Sequence, residues 1–420
     1  VIRRIVGLRK KFPGKRIMIS KMDVKDAFRQ VQVEPRGGAK FGYCVGDLLV
    51  IDFRLQFGWR NSPGWWDLLA SALEFSHCHT DPKSTVNIAG GGEEDQFFAR
   101  MYVDDSILVE PQWFEDGRRL LLATNSLVSD HIRLLGKREI DEPPILSAKK
   151  LTGWHTTQVV VGWKIDTEAM TIALPEGKLV KLKGWLEEWP ESKSVARVQE
   201  VWVLLGRLFH MSYVIRPGKC FLWIAKGGEQ VEQREGAREA NREIRIGPEF
   251  KEDLNWWRWV VEHGLAEEGE NLCSPFLGFV SRLPGMTWYS DACFSAVGGY
   301  NVETGKWWRY EFPEHVKKEI KRSVIRGERG SISINVLELL GMVMNAWVLV
   351  MKVKGRAKTK GDLVLLRGDN YSAVHWFRKC GGAKDKRAGG LMRIMGVLEI
   401  AGEWPFAAEH VAGKKNELAD

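Results

Sequence analysis

Short apolar runs separated by Gly, Pro and Asp fill residues 16–110. One stretch among them, "PGWWDLLASALEFSH", has apolar residues at helical spacing, and the other runs have the lengths and breaks of strands. The pattern predicts an α+β region with one helix. "GGGEEDQ", residues 90–96, predicts a polar loop before the strand of Tyr102. Alternation returns over residues 151–178 and predicts one or two more strands, with a turn at 166–167.

The next block, from about residue 176 to 265, is helical in character. Its apolar residues recur at i, i+3, i+4 and i+7, the spacing of an amphipathic helix. Three stretches show this spacing: "KLVKLKGWLEEW", "SVARVQEVWVLLGRLFHMSYVI" and "PEFKEDLNWWRWVVEHGL". We therefore predict a mainly helical domain over residues 176–275, after a first domain over residues 1–175.

A second α/β pattern begins near residue 280. "GMTWYSDAC" predicts a strand, "FSAVGGYNVETGKWWRYEF" two strands around a turn, and "SISINVLELLGMVMNAWVLVMKV" a long helix. "DLVLLRGDN" predicts another strand, and "WPFAAEHVAGKKNELAD" predicts a strand, a loop and the start of a helix. This order predicts a mixed sheet with helices packed on it, over residues 280–420.

Composition and charge suit a globular protein that binds a polyanion. The 420 residues are 44% hydrophobic and 28% charged, and 62 Lys and Arg outweigh 54 Asp and Glu, for a net charge of +8. Residues 1–40 alone contain twelve basic side chains and three acidic ones. Such a local surplus favours a nucleic-acid partner. A solvated basic face without a ligand is the alternative.

Six cysteines lie far apart without a Cys-x-x-Cys pair, which favours a reducing intracellular compartment, cytoplasm or nucleus. "SHCHTD" lacks a second pair of ligands, so we expect no metal there. We identify no apolar run near the roughly 18 residues of a membrane span, and expect no membrane partner. The sequence starts at "VIRRIVG" without Met or a signal peptide, and we expect it to be a piece of a longer protein.

Two adjacent acids, Asp104 and Asp105, interrupt the apolar stretch "RMYVDDSILV". One interpretation is a tight turn between two strands of a hairpin. The other is a site for Mg²⁺, a cation that prefers carboxylate oxygens and substrate phosphates. Asp23 in "KMDVKDAFRQVQV" also ends a predicted strand, so two strands of one sheet could bring it beside Asp104. Carboxylates that converge in this way repel one another unless a cation compensates.

Three motifs in order, "MDVKDAF", "FGWRNSPGWW" and "YVDD", resemble the palm motifs of reverse transcriptases of retroelements, especially the long-terminal-repeat-like and DIRS-like classes. The resemblance implies that Asp23 and Asp104 are the principal metal ligands and that Asp105 completes the set. It implies that Phe28 lies under the sugar of the incoming nucleotide and rejects a 2′-hydroxyl. The full set of implied substrate-binding residues is Phe28, Phe57, Gly58, Trp59, Asn61 and Tyr102.

Further stretches extend the resemblance along the chain. Residues 159–166, "VVVGWKID", resemble the hairpin that grips the primer, and "LLGRLFHMSYVIRPGKCFL" resembles the thumb. Each residue has a simpler interpretation when it is taken alone. Phe28 is then ordinary core, Asp26 is a helix N-cap, and Trp65 and Trp66 are packing residues.

The C-terminal block contains four acids in a second pattern: Asp291 in "YSDAC", Glu338 in "NVLELLG", Asp369 in "RGDNYSAVHW", and Asp420. Their order resembles the acidic set of ribonuclease H, which uses two metal ions to activate water against an RNA phosphodiester. The tail also reproduces the family pattern H-x-x-G-x-x-N-x-x-x-D with His410, Gly413, Asn416 and Asp420. In the family the histidine helps to release product or to move a proton. Each acid alone could instead be a cap or a surface charge, although an unpaired acid inside the apolar helix of Glu338 would be costly.

Together the resemblances imply a retroelement reverse transcriptase with a fused ribonuclease H. The implied fold is a right-hand polymerase palm with partial fingers and a helical thumb, followed by a ribonuclease H-like domain. RNA and DNA template-primers, RNA/DNA hybrids, deoxynucleotide triphosphates and Mg²⁺ or Mn²⁺ are the implied partners. A decayed copy that only binds nucleic acid, and a polymerase without nuclease activity, are the alternatives. Fingers strands before the first motif and a helix after Asp420 are absent, so we expect this 420-residue chain to be weakly active or inactive.

Overall fold

The computed structural model describes residues 1–80, 96–113, 115–137, 144–222, 241–264, 272–326, 332–353, 362–380, 385–416 and 419. Most of the predicted polar loop at 90–96 and the whole of Asp420 lie outside these residues. The chain divides into two compact units, Val1–Ile172 and Ala173–Asp420.

The first unit contains three helices and seven strands among its described residues. Its helices are α1 (Ile2–Lys11), α2 (Ser62–His79) and α3 (Arg118–Leu135). Its strands are β1 (Ile17–Asp23), β2 (Gly42–Val45), β3 (Leu48–Ile51), β4 (Ala99–Tyr102), β5 (Asp105–Pro111), β6 (Thr157–Val160) and β7 (Trp163–Asp166), and β8 (Thr171–Ala173) lies at the boundary. The helix predicted around "PGWWDLLASALEFSH" is confirmed as α2.

The main sheet of this unit has the order β1–β5–β4, with antiparallel neighbours. Its strands are short and apolar, and α2 and α3 pack on it. The core beneath α3 contains Met22, Phe97, Ala99, Leu108, Ala123 and Leu127. Burial of β1 along almost its whole length fixes the register, because a slip by one residue would expose its apolar side chains. Asp23 is thereby held at the end of β1, opposite Asp105.

A pair of histidines is buried between α2 and α3. His77 and His131 both have 0% exposure, and Asp130 Oδ2 lies 4.0 Å from His77 Nδ1. His131 Nδ1–H donates to the Leu127 carbonyl oxygen at 2.7 Å. Burial lowers the pKa of His77 from its usual 6.5 to about 4, and burial also lowers the pKa of His131. Both rings are therefore neutral at pH 7.

This pair predicts acid-sensitive stability. Because the folded-state pKa of His77 is lowered, the unfolded chain takes up the proton first, and stability present above about pH 6.5 is lost as the pH falls towards 4. A shift of this size corresponds to about 3 kcal/mol of unfolding free energy. Denaturant titrations between pH 7 and 4.5 measure it. His77→Phe should flatten the dependence of the unfolding free energy on pH. The control His79→Phe, at an exposed position, should not. The same pH dependence in His77→Phe and wild type would contradict this role of His77.

The second unit contains seven helices and eight strands in its described part. Its helices are α4 (Glu176–Glu187), α5 (Val198–Met211), α6 (Pro248–His263), α7 (Glu314–Arg326), α8 (Ile334–Val353), α9 (Tyr371–Arg378) and α10 (Lys386–Gly402). Its strands are β9 (Val195–Arg197), β10 (Glu243–Arg245), β11 (Cys273–Pro275), β12 (Met286–Ala292), β13 (Ala296–Asn301), β14 (Trp307–Glu311), β15 (Val364–Gly368) and β16 (Phe406–His410).

The predicted helix over "SVARVQEVW" is wrong at its start. Residues Val195–Arg197 form β9, which pairs with β10 in antiparallel orientation. The helix begins only at Val198. The Glu200 carboxylate accepts a hydrogen bond from the Arg197 backbone N–H at 2.9 Å, and this capping bond ends the helix at its N-terminus. Helical spacing of apolar residues could not reveal a partner strand that lies more than forty residues away.

A five-stranded mixed sheet forms the centre of this unit, in the order β14–β13–β12–β15–β16. β12, β15 and β16 are parallel neighbours, and β13 and β14 extend the sheet in antiparallel fashion. The prediction of a mixed sheet is confirmed. Helix α8 packs closely on β12 and β13 because it has Gly341 at the crossing point. A Cβ there would lie only 3.1 Å from side-chain atoms of Ser290 and Val297.

The expectation that no apolar run approaches the length of a membrane span is wrong for helix α8. Its segment Ile334–Met351 has 18 residues with a mean hydropathy of 1.8, so a run of the length and composition of a membrane span does exist. Within the structure 67% of this segment is buried. The core helix of a globular domain gives the same signal, since it is apolar on most of its faces.

Candidate functional site

The acid doublet lies in a hairpin turn. Tyr102 at the end of β4 faces Asp105 at the start of β5, and only Val103 and Asp104 connect them. Val103 has φ +53°, a left-handed conformation that is rare for a β-branched residue. The turn interpretation of the doublet is therefore confirmed, and it places the Asp104 carboxylate at the sheet end where Asp23 lies.

Asp23, Asp104 and Asp105 form what we call the first acidic cluster. Asp23 and Asp105 are directly opposite in the β1–β5 register, so their side chains leave the same face of the sheet. Among the described residues, the three carboxylates of this cluster do not all lie within 4.8 Å of one another. Asp23 is 4% exposed, whereas Asp104 and Asp105 are half-buried.

The ammonium group of Lys150 lies between two of these acids. Its Nζ is 2.7 Å from Asp23 Oδ2 and 3.9 Å from Asp104 Oδ2. Burial raises the pKa of the Asp23 carboxyl, the hydrogen bond from Lys150 opposes that rise, and the neighbouring Asp104 adds to it. The hydrogen bond to Asp23 in turn raises the pKa of Lys150. Sequence reasoning missed Lys150, because it lies 127 residues from Asp23 and in none of the motifs.

A cleft of about 360 Å³ opens beside the first acidic cluster. Asp23, Asp104 and Lys150 line one part of it, and Phe28 and Phe57 line another. The two phenyl rings have centroids 5.1 Å apart. Phe28 is partly buried against the core of α2, while Phe57 is 71% exposed.

The other residues predicted to bind substrate lie away from the described lining of this cleft. Gly58 has φ +94°, which glycine adopts without strain. The Trp59 ring packs edge-on against Phe41 with centroids 5.1 Å apart. Asn61 precedes α2, and Tyr102 is 56% exposed at the hairpin.

Asp26 lines the cleft, and it also occupies the N-cap position that one interpretation suggested. It precedes the short 3-10 helix Ala27–Gln30 at φ +53°, and its side chain makes no capping hydrogen bond there. Its exposed carboxylate instead adds negative charge at the rim of the cleft.

Asp291, Glu338 and Asp369 form the second acidic cluster. One carboxylate oxygen from each lies within 4.8 Å of the others. Asp291 is on β12, Glu338 is on α8, and Asp369 directly follows β15. Glu338 is 6% exposed. Three sequence-remote carboxylates at such distances repel one another, and a divalent cation with oxygen ligands is the compensation that their chemistry suits.

Asn370 connects two of the elements that hold these acids. Its Oδ1 accepts from the Ala373 backbone N–H at 2.9 Å, which caps α9, and its Nδ2 donates to Asn335 Oδ1 at 2.9 Å. Asn335 lies one turn before Glu338 on α8. The amide of Asn370 thus fixes the strand end that carries Asp369 against the helix that carries Glu338.

This geometry predicts a specific effect of Asn370→Ala. Loss of the cap and of one hydrogen bond should lower the unfolding free energy by about 1–2 kcal/mol. It should also weaken Mn²⁺ binding at the second acidic cluster roughly tenfold or more. Asp385→Ala is the matched control, because Asp385 caps α10 by accepting from Arg387 and Ala388. Denaturation and Mn²⁺ titration of both variants check this; an equal loss of Mn²⁺ affinity in the two would show a merely structural role.

His410 ends β16 and is exposed. Its Nε2–H donates to the Asp369 carbonyl oxygen at 2.9 Å, so Nδ1 is the ring atom that can take up a proton. Gly413 in the following loop passes close to the cluster: a Cβ there would lie 3.3 Å from Asp369 Oδ2. Glycine at this position therefore lets the loop approach Asp369.

Asn416 ties the tail to β12. It is 1% exposed, and its Nδ2 donates to the Ser290 carbonyl oxygen at 3.2 Å, directly before Asp291. The predicted start of a helix is here the short 3-10 segment Gly413–Lys415. Asp420 lies outside the described residues, so its predicted place as a fourth acid stays a prediction.

No protein-family model and no curated protein matches the chain. Among solved structures, the foamy viral protease-reverse transcriptase in complex with RNA/DNA hybrid is similar at 12% identity and a TM-score of 0.42, over 93% of this chain and 44% of that one. The same viral protein, in a form called dRH with double-stranded DNA, is similar at 13% identity and a TM-score of 0.42, over 97% and 59%. Its complex with double-stranded DNA gives 14% and 0.40, over 94% and 68%. The chain thus spans less than two thirds of the first two viral chains.

Proposed function

We propose that the chain is a retroelement RNA-directed DNA polymerase with a fused ribonuclease H. The observation that supports this most is the meeting of sequence-remote acids in each unit. Asp23 and Asp104 share one lysine ammonium, and Asp291, Glu338 and Asp369 lie within 4.8 Å of one another. Asp23, Asp104, Asp291 and Asp369 stand at or next to the ends of strands, and Glu338 stands on helix α8.

In the first unit, Asp23 and Asp104 would hold the metal ions, with Asp105 beside them. Bound Mg²⁺ or Mn²⁺ supplies Lewis acidity that activates the attacking hydroxyl and stabilises the leaving oxygen. Lys150 keeps a positive charge next to these acids, where it can also contact the phosphates of a deoxynucleotide triphosphate. Phe28 and Phe57 form the apolar part of the same cleft, and Phe28 there would exclude a 2′-hydroxyl.

In the second unit, Asp291, Glu338 and Asp369 would hold the metal ions that act on the RNA strand of a hybrid, with Asp420 as a fourth ligand. The donor set fits a hard divalent cation, since it consists of carboxylates alone. His410 orients its ring through the Asp369 carbonyl oxygen, beside the cluster, where it would help to release product or to move a proton. The right-hand arrangement of palm, partial fingers and thumb, and the primer-gripping role of β6 and β7, belong to the same proposal.

The test is a labelled DNA primer on a labelled RNA template, incubated with deoxynucleotides and Mg²⁺ or Mn²⁺. We expect metal-dependent primer extension together with shortening of the RNA. Retention of the hybrid without either reaction would identify a decayed copy that only binds nucleic acid. Extension with an intact RNA strand would identify a polymerase without nuclease function.

A further inference from the structure

The turn that carries Asp104 is strained, and something outside the turn must hold it. Val103 is a β-branched residue at φ +53°, a conformation that persists only where its surroundings impose it. Its side chain is 46% exposed, so its own packing does little to impose that conformation.

The indole of Trp66 provides one restraint. Its Nε1–H donates to the Val103 carbonyl oxygen at 2.6 Å, a short hydrogen bond that crosses from α2 to the turn. Trp66 is 1% exposed and packs with Val24, Ala27 and Ala70, so its ring has little freedom to move. The bond therefore fixes the peptide plane between Val103 and Asp104.

A second restraint acts on the other side of Asp104. The Val24 backbone N–H donates to the Asp104 carbonyl oxygen at 2.9 Å. Both peptide planes that flank Asp104 are thus fixed, one by α2 and one by the residue that follows Asp23. Because two dihedral angles set the direction of a Cα–Cβ bond, this arrangement fixes the direction in which the Asp104 side chain leaves the backbone relative to Asp23.

We propose that Trp66 is a positioning residue for Asp104, acting through its indole N–H on the Val103 carbonyl. This inference rests on the proposed function, since it assumes that the first acidic cluster binds a divalent cation. It gives Trp66 a role beyond packing. Preorganised ligands bind a metal more tightly than ligands that must first be ordered, and removal of such supporting bonds costs tenfold to a hundredfold in metal affinity.

The experiment measures Mn²⁺ affinity by electron paramagnetic resonance, which needs no turnover. Trp66→Phe keeps an aromatic ring and removes the N–H; we expect the dissociation constant of the first cluster to rise about tenfold, with the second cluster unchanged. Trp65→Phe is the matched control, one residue away at a 53% exposed position, and should change neither. If Trp66→Phe does not fold, benzothienylalanine at position 66 keeps the shape and replaces N–H by sulfur.

A rescue variant separates positioning from packing. Asparagine adopts the left-handed conformation more readily than valine, so Val103→Asn should let the turn hold itself. We expect the double variant Trp66→Phe/Val103→Asn to recover most of the lost affinity. The inference is overturned if Trp66→Phe leaves the Mn²⁺ affinity unchanged, or if the double variant does not recover the lost affinity. Both results count when Asp104→Asn abolishes Mn²⁺ binding to the first cluster. If Asp104→Asn leaves Mn²⁺ binding unchanged, the proposed function of the first cluster fails as well.

Discussion

Replacement of Asp104 by Asn is expected to reduce primer extension at least about a thousandfold. Under the proposed function, the change removes one negative oxygen from a site that would hold two divalent cations, and transition-state stabilisation of several kcal/mol would depend on those cations. The fold should be retained, because Asp104 is half-buried in a turn whose backbone hydrogen bonds do not involve its carboxylate.

The measurement is single-turnover extension of a DNA primer, with Mn²⁺ affinity as a second readout. Asp67→Asn is the control, since Asp67 is an exposed acid on α2 and carries the same change of charge. Cleavage of the RNA strand should be the same in all three proteins. Extension by Asp104→Asn at the wild-type rate would contradict the metal-binding role of the first acidic cluster.

Replacement of Glu338 by Gln is expected to reduce cleavage of RNA/DNA hybrids by a similar factor and to leave primer extension intact. Glu338 has the most buried carboxylate of the second acidic cluster, 6% exposed within an apolar helix. Gln has nearly the same shape but is neutral, so it relieves the repulsion from Asp291 and Asp369 while it removes a ligand charge.

Because the repulsion between the carboxylates is relieved, Glu338→Gln should also change the free energy of unfolding, which can be measured. In metal-free buffer Glu338→Gln should be at least as stable as wild type, because it removes a negative charge that lies within 4.8 Å of two other carboxylates. Glu314→Gln on α7 is the control for the change of charge, because Glu314 is exposed and forms a surface ion pair with Lys317 at 3.1 Å. Hybrid cleavage that survives in Glu338→Gln would mean that the second cluster does not act in catalysis.

Asp23, Asp104, Asp105, Asp291 and Asp369 could be predicted from the sequence because each interrupts, ends or follows an apolar strand, whereas Glu338 interrupts an apolar helix. Asp23 follows a run that is buried almost throughout, and Asp369 follows β15. Strand periodicity and the motif order were therefore enough to place Asp23 beside the 104–105 hairpin. The mixed sheet followed in the same way, from a strand–helix–strand order with apolar spacing.

Lys150 and the indole N–H of Trp66 could not be predicted, because their roles exist only after folding. Lys150 meets Asp23 across 127 positions of sequence, and no local pattern marks it. Trp66 was interpreted as a packing residue; it is one, and its hydrogen bond to the turn depends on how α2 crosses the sheet. The buried pair His77 and His131 likewise depends on how α2 and α3 pack, which helical spacing alone does not fix.

The central claim is that each unit contains its own cage of carboxylates for divalent cations. Mn²⁺ titration followed by electron paramagnetic resonance tests it directly on wild type, Asp104→Asn, Glu338→Gln and the double variant. We expect two separable classes of bound Mn²⁺ in wild type, the loss of a different class in each single variant, and the loss of both in the double variant. Equal Mn²⁺ binding by the double variant and the wild type would contradict the account.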